Sequence, residues 1–305
     1  MSVPRFQTGN PFSPTPAPSG HKGLKKGVYV VPSLFTALNI LAGFFSLMAK
    51  MSGFRLLGIG GAAQIQLAAQ QFDYAAMAIG CAVLCDALDG RIARMTRSTT
   101  EIGIQLDSLA DIVSFGLAPA MLVYAWGYGT ALESWGNVHQ LAWFLSFMYV
   151  ICGGFRLARF NVQASRPRPL AEGTQKVDKK SFVGLPIPVA GCLIAAIVHF
   201  APTPIRYTPQ RADLLAGLLM VLVAFLSVLM VSTLRFSSFK SVGAGRRNAR
   251  LVIVMIALAG LIYLYSRWVL LLLAVAYVIH GLLSRVLATL THRSPERHSA
   301  EVHEI

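Results

Sequence analysis

"LCDALDGRIARMTRSTTEIGIQLDSLADIVSFG", residues 84–116, decides how the rest of this chain is read. Of only 13 acidic residues in the 305, four aspartates fall here: Asp86, Asp89, Asp107 and Asp111. The neighbouring sequence is apolar enough to cross a bilayer, and carboxylates at that depth are costly and mark ion, proton or substrate sites. On a helix advancing ~100° per residue, with Asp86 as origin, Asp89 falls at about −60°, Gly90 at about +40°, Ala93 at about −20° and Arg94 at about +80°. All five share one face. After the polar turn MTRSTT (95–100), a second helix places Gly103, Asp107 and Asp111 at i, i+4 and i+8, with Ser114 on the same stripe. Helices joined by a short connection pack antiparallel, so the two acidic faces can meet.

The composition agrees with a membrane setting. It is 55% hydrophobic and 13% charged, with a mean hydropathy of +0.58, where a soluble domain carries about 25% charged residues. Apolar runs near 28–49, 72–88, 104–126, 138–158, 182–201, 212–234, 251–266 and 268–289 predict an all-α polytopic bundle of about eight spans, six in a core and two in a C-terminal hairpin. Of the 27 Lys and Arg, 22 lie in the two tails and in alternate connections. The remaining five, Lys50, Arg55, Arg206, Arg211 and Arg267, fall in the connections between. The positive-inside rule then places both termini and the acidic connection in the cytoplasm, in a cell (inner) membrane. An odd number of spans would break this alternation. The net charge of +14 is dispersed along these rims, where it meets anionic headgroups, which excludes a nucleic-acid surface.

Four domains follow. Residues 1–27, rich in Pro, Ser and Gly, read as a disordered basic arm and lack the apolar centre of a signal peptide. Residues 28–242 form the main helical unit that holds the acidic stretch, 243–290 the hairpin, and 291–305 a cytoplasmic tail.

Facing carboxylates repel, so the site needs either protons, as in a relay, or a cation. Oxygen-only ligands with no His or Cys favour a hard ion, Mg²⁺ or Mn²⁺. An ion-coupled transporter would use such acids too, but leaves Gly90, Ala93 and Arg94 without a purpose. Small residues on the acidic face leave room for a bulky ligand, and an adjacent Arg suits phosphate. Together these features point to phosphoryl transfer, where positioning and charge neutralisation dominate catalysis.

The pattern Asp86-x2-Asp89-Gly90-x2-Ala93-Arg94-x8-Gly103-x3-Asp107-x3-Asp111 resembles the CDP-alcohol phosphatidyltransferase signature without departure. Eight fixed positions match by chance on the order of 10⁻¹⁰ per starting point. VPSLFTALNILAGF, DSLADIVSFGLAPA, FRLARFNVQ, SFVGLPIP and MVSTLRFSSFK resemble its membrane-integral phosphatidylserine synthase branch over about residues 27–242. The resemblance implies two Mg²⁺ or Mn²⁺ ions, bridged by Asp86 and Asp107. Asp89 completes the shell of one, and Asp111 touches the other and serves as general base. It assigns CDP-diacylglycerol to Gly90, Ala93, Arg94, Gly103 and Thr100, and to Thr36 and Asn39 of the first span; Ser33 stands where relatives often carry Asn. It implies phosphatidyl transfer from CDP-diacylglycerol to L-serine, with membrane lipids as surroundings and a homodimer as a compatible assembly. Sibling enzymes using choline, glycerol phosphate or inositol phosphate share the aspartate motif, so the acceptor is the open point.

Outside the motif, Arg156, Arg159 and Asn161 in FRLARFN lie at a span end. They read either as interfacial anchors or as a pocket for the serine carboxylate, since i, i+3 arginines share a helix face. The run Lys176 to Lys180 reads as a solvated loop, and Pro186 and Pro188 in GLPIP as a helix entry. Cys81, Cys85, Cys152 and Cys192 read as small buried packing residues, and the seven His, including His199 and His280, as incidental.

Overall fold

The computed structural model describes residues 26–96, 101–131, 137–165, 181–208, 211–232, 235–237, 265–280 and 283. The N-terminal arm to residue 25, Thr100, Lys176–Lys180, the seventh apolar run up to residue 264 and the C-terminal tail lie outside the described residues. The side chains of Ser33, Ala93 and Arg94 also lie outside them.

The first departure from expectation is in the opening hairpin. Helix α1 runs from Lys26 to Ile59, taking in the last two residues of the expected arm and continuing past residue 49. Helix α2, Ala62–Thr96, follows at once, through Gly60 and Gly61 at φ 79° and 96°, a left-handed turn suited to glycine. The expected 50–71 connection is therefore helix. Polarity ends an apolar run without ending a helix, because Ala, Leu, Met and Gln are good helix formers whatever their hydropathy. Lys50 is accordingly no rim charge: it is 1% exposed and its Nζ donates to the Ala118 carbonyl at 2.7 Å.

Five segments are long and apolar enough to cross a membrane among the described residues: Leu34–Ile59, Ile102–Tyr128, Val138–Val162, Ile187–Tyr207 and Ala212–Val231. This is an integral membrane protein. With its 35 residues α2 has the length, but Asp73, Asp86, Asp89, Arg91 and Arg94 hold down its hydropathy. Helices α6 (Asn137–Ser165), α7 (Ile187–Phe200) and α8 (Ala212–Val231) match the expected fourth to sixth runs. A shorter apolar helix, α9, Tyr265–His280, falls in the eighth.

The third span is not the uniform helix that a 3.6-residue period predicts. Helix α3, Glu101–Asp111, gives way to a π-helical stretch at Ile112–Leu117, then α4, Ala118–Val123, a second π stretch at Tyr124–Tyr128, and α5, Gly129–Ala131. Pro119 has no N–H to return to the Phe115 carbonyl, which accepts instead from the Tyr149 hydroxyl of α6 at 3.2 Å. The widened turn begins directly after Asp111, and π-bulges frequently sit at functional sites.

One short strand pair sits within the all-α bundle: Ser181–Val183 (β1) lies antiparallel to Arg235–Ser237 (β2), with Phe182 opposite Phe236. It joins the entry of α7 to the exit of α8. Next to it, Gly184 takes φ +83°, and a Cβ there would meet the Met230 carbonyl oxygen at 2.4 Å. Pro186 then caps α7 with Pro188 in its first turn, so GLPIP is the helix entry expected.

Phe115, Leu122, Tyr149, Ile187, Ile194, Leu226 and Met230 fill the interior of the bundle, where α2 presents the small side chains Ala68, Ala75, Ala76 and Ala82. Phe44, Phe45, Trp143, Val221 and Val228 point outward, as lipid-facing residues do when hydrocarbon is the solvent. Cys152 is buried, but Cys81 is exposed, so it is not the packing residue expected.

Candidate metal and substrate site

The hairpin of α1 and α2 and the start of the third span meet at one end of the bundle. Asp86 and Asp107 are half-buried there, while Asp89 and Asp111 are 6% and 8% exposed. One carboxylate oxygen from each of Asp86, Asp107 and Asp111 lies within 4.8 Å of the other two. The structure thus brings together three of the four expected ligands. The fourth, Asp89, turns one oxygen to α1, where it accepts a hydrogen bond from the Thr36 hydroxyl; the Asp107 carboxylate also feels its charge.

The wall opposite is built by α1. Asn39, 1% exposed, accepts on its backbone oxygen from the Ser114 hydroxyl at 2.8 Å. One turn on, Gly43 lets the π stretch approach: a Cβ there would stand 2.4 Å from Ser114 Oγ and 2.9 Å from its Cα. Sequence reasoning missed Gly43 because the contact exists only once α1 and the third span are packed. The Asn39 amide adjoins Asp111, yet neither its nitrogen nor its oxygen makes a hydrogen bond of ordinary geometry.

Helix α6 closes the site. The Asp111 carboxylate feels the charge of the Arg156 guanidinium, whose Nε is buried without a hydrogen-bond partner, as is Nη2 of Arg159. Arg159 Nη1 donates to the Val231 carbonyl at 3.4 Å. Asn161 Nδ2 donates to Ser108 Oγ at 2.8 Å, and that hydroxyl to the Ile104 carbonyl at 3.0 Å. This chain braces α6 against α3 one residue from Asp107. Gly90 and Gly103 line the two acidic helices, both half-buried; Arg94 extends the same face of α2 by one turn.

The donor set fits a hard divalent cation. Carboxylate oxygens of this spacing suit Mg²⁺ or Mn²⁺ chemistry. Asp111 Oδ1 is buried and has no hydrogen-bond partner, an arrangement that costs several kcal/mol unless a positive charge meets it.

One expectation is overturned at the other end of the bundle. His199 is not incidental: its Nδ1 lies 2.5 Å from Asp73 Oδ1 and its Nε2 2.9 Å from Ser266 Oγ. A lone histidine in an apolar run gives no sign of partners 126 and 67 residues away.

A family model described as CDP-alcohol phosphatidyltransferase matches residues 29–229. The chain belongs to the CDP-alcohol phosphatidyltransferase family. Members of that family are generally divalent-metal dependent, in keeping with the acidic cluster. The chain is 30% identical over 261 residues to the CDP-diacylglycerol–serine O-phosphatidyltransferase of Helicobacter pylori (strain ATCC 700392 / 26695), covering 84% of this chain and 91% of that one. It is 31% identical to the archaetidylserine synthase of Methanothermobacter thermautotrophicus over 70% of this chain and 72% of that one. Against the CDP-diacylglycerol–serine O-phosphatidyltransferase of Saccharomyces cerevisiae the identity is 40%, over 37% of each chain. The two acidic helices, the α1 wall and Arg156 all lie inside the matched region of this phosphatidyltransferase.

Proposed function

We propose that this chain transfers the phosphatidyl group of CDP-diacylglycerol to the hydroxyl of L-serine, releasing CMP. The observation that carries the reading is the meeting of Asp86, Asp107 and Asp111 within reach of the Arg156 charge, with Asp111 Oδ1 left without a hydrogen-bond partner.

Asp86, Asp89, Asp107 and Asp111 would hold two Mg²⁺ or Mn²⁺ ions, whose contribution there is to neutralise the diphosphate and the departing CMP. The chain's own residues do the rest. Gly90 and Gly103 leave space for the CDP head between the acidic helices, with Ala93 on the same face. By the sequence motif, Arg94 and Thr100 are assigned to the phosphates and the nucleotide. Thr36 and Asn39 form the α1 side of that cavity, and Thr36 also holds Asp89 in place. The acyl chains stay among the lipid-facing side chains. Arg156 and Arg159 receive the serine carboxylate, which brings the serine hydroxyl to Asp111, while Asn161 steadies their helix through Ser108. Asp111 Oδ1 accepts the hydroxyl proton as the serine oxygen bonds to the phosphorus bearing diacylglycerol. The bond from that phosphorus to the bridging diphosphate oxygen breaks, and CMP leaves.

The basic rims support a site and termini facing the cytoplasm of an inner membrane. In sealed vesicles and a cysteine-free background, a membrane-impermeant thiol reagent then labels a cysteine at Ser241 from the cytoplasmic side and spares one at Ser134. For the reaction, the full-length protein in vesicles containing CDP-diacylglycerol is given Mn²⁺ or Mg²⁺ and assayed for CMP release with serine, choline, glycerol phosphate or inositol phosphate. Release with serine supports the reading. Release only with another alcohol makes this a sibling enzyme.

A further inference from the structure

We infer that α9 completes the acceptor pocket, with Tyr277 as a positioning residue for Arg156 and the Asp73–His199–Ser266 chain as the clamp that holds the helix in place. The inference rests on the proposed role of Arg156 as the receiver of the acceptor's carboxylate.

Helix α9 lies beyond residue 229, where the family match ends, so nothing in the shared core requires it near the chemistry. It is nevertheless firmly docked. At its first turn Ser266 Oγ lies 2.9 Å from His199 Nε2, and His199 Nδ1 lies 2.5 Å from Asp73 Oδ1 on α2. Two residues on, the Trp268 ring stands edge-on to Phe200 with centroids 4.6 Å apart. Val269, Ala274 and Val278 are buried along the same helix. Polar contacts between helices are favoured in hydrocarbon because an unpaired alternative is costly.

From that clamp the helix leads to the acidic end. Eleven residues separate Ser266 from Tyr277, a rise of about 16 Å at 1.5 Å per residue. They amount to a rotation of roughly 20° after whole turns, so both side chains occupy one face. Tyr277 is half-buried, and its phenol and the Arg156 guanidinium feel one another's charge, as Arg156 also feels Asp111 and Arg159. A phenol oxygen accepts hydrogen bonds and a guanidinium only donates them. Arg156 is thus within electrostatic reach of both Tyr277 and Asp111, and Asp111 Oδ1, Arg156 Nε and the Asn39 amide all lack hydrogen-bond partners. That concentration of unpartnered groups fits a small zwitterionic alcohol.

The test uses the full chain in vesicles containing CDP-diacylglycerol and Mn²⁺, reading CMP release. Tyr277→Phe keeps the ring and its packing but removes the acceptor. Serine KM rises roughly three- to tenfold, less than for loss of a direct charge-assisted contact because Tyr277 acts through Arg156, while kcat and the KM for CDP-diacylglycerol stay within about twofold. Ser266→Ala loosens the clamp and moves serine KM in the same direction by less, and Ser266→Thr restores it. An unchanged serine KM in folded Tyr277→Phe overturns the inference. So does a parallel change in both substrates with loss of folded yield, which marks α9 as structural alone. Wild-type protein inactive with serine but active with another alcohol sinks the serine reading instead. The same variants are then measured on that alcohol, and the role of α9 stands or falls on its KM.

Discussion

The two ends of this bundle treat buried polar groups in opposite ways. At one end Asp73, His199 and Ser266 form a closed chain across α2, α7 and α9. Nearby Trp126 Nε1 donates to the Ala201 and Thr203 carbonyls at 3.0 and 3.1 Å, finishing α7. At the other end several of the converging polar groups stay unmatched. Among the described residues seven buried side-chain atoms lack a hydrogen-bond partner, and five of them belong to Asn39, Asp111, Arg156 and Arg159. Inside a membrane no water repairs an unpaired group. A matched cluster therefore reads as glue between helices, whereas an unmatched one reads as a place kept for a ligand.

That contrast can be broken most directly by removing the metal. Excess EDTA abolishes CMP release, because the facing carboxylates then lose their counter-charge; undiminished turnover would remove the argument for a metal site. Next in size, Asp86→Asn and Asp107→Asn each lower kcat by about 10³-fold or more. Asp73→Asn, an identical change at the matched end, leaves kcat at saturating serine within about twofold. Similar losses at both ends would show that the distinction is false. Arg156→Ala comes third: it raises serine KM about ten- to a hundredfold, the loss of one charge-assisted hydrogen bond, and leaves the KM for CDP-diacylglycerol near normal. If both KM values rise together, Arg156 is an anchor and not a receiver. The smallest effect belongs to His199→Ala. It removes about 1–2 kcal/mol of helix docking, read as a lower melting temperature in detergent, with kcat at saturating serine almost unchanged.

Much of the acidic end was legible in one dimension. Asp86, Asp89, Asp107 and Asp111 lie on two consecutive helices, and helical periodicity alone puts each pair on one face. The membrane class was legible for a similar reason: apolar runs such as 138–158 and 212–234 register as length and composition, and both appear as spans. Lys50 and Arg55 misled because hydropathy reports transfer cost, not backbone conformation. A lysine on a helix can spend its charge on a carbonyl inside the bundle, as Lys50 does on Ala118.

The sequence by itself determined a polytopic helical membrane protein, the phosphatidyltransferase signature and the acidic residues that carry it, since these depend on local spacing and composition. Only the tertiary structure decided which groups find partners. Hydrogen bonds across 126 residues, as between Asp73 and His199, leave no periodic trace. Nor do the π turns that follow Asp111, the approach of α1 at Gly43, or the docking of Trp268 on Phe200. Each depends on how helices distant in the chain pack, and packing is set by the summed fit of many side chains that no short stretch contains.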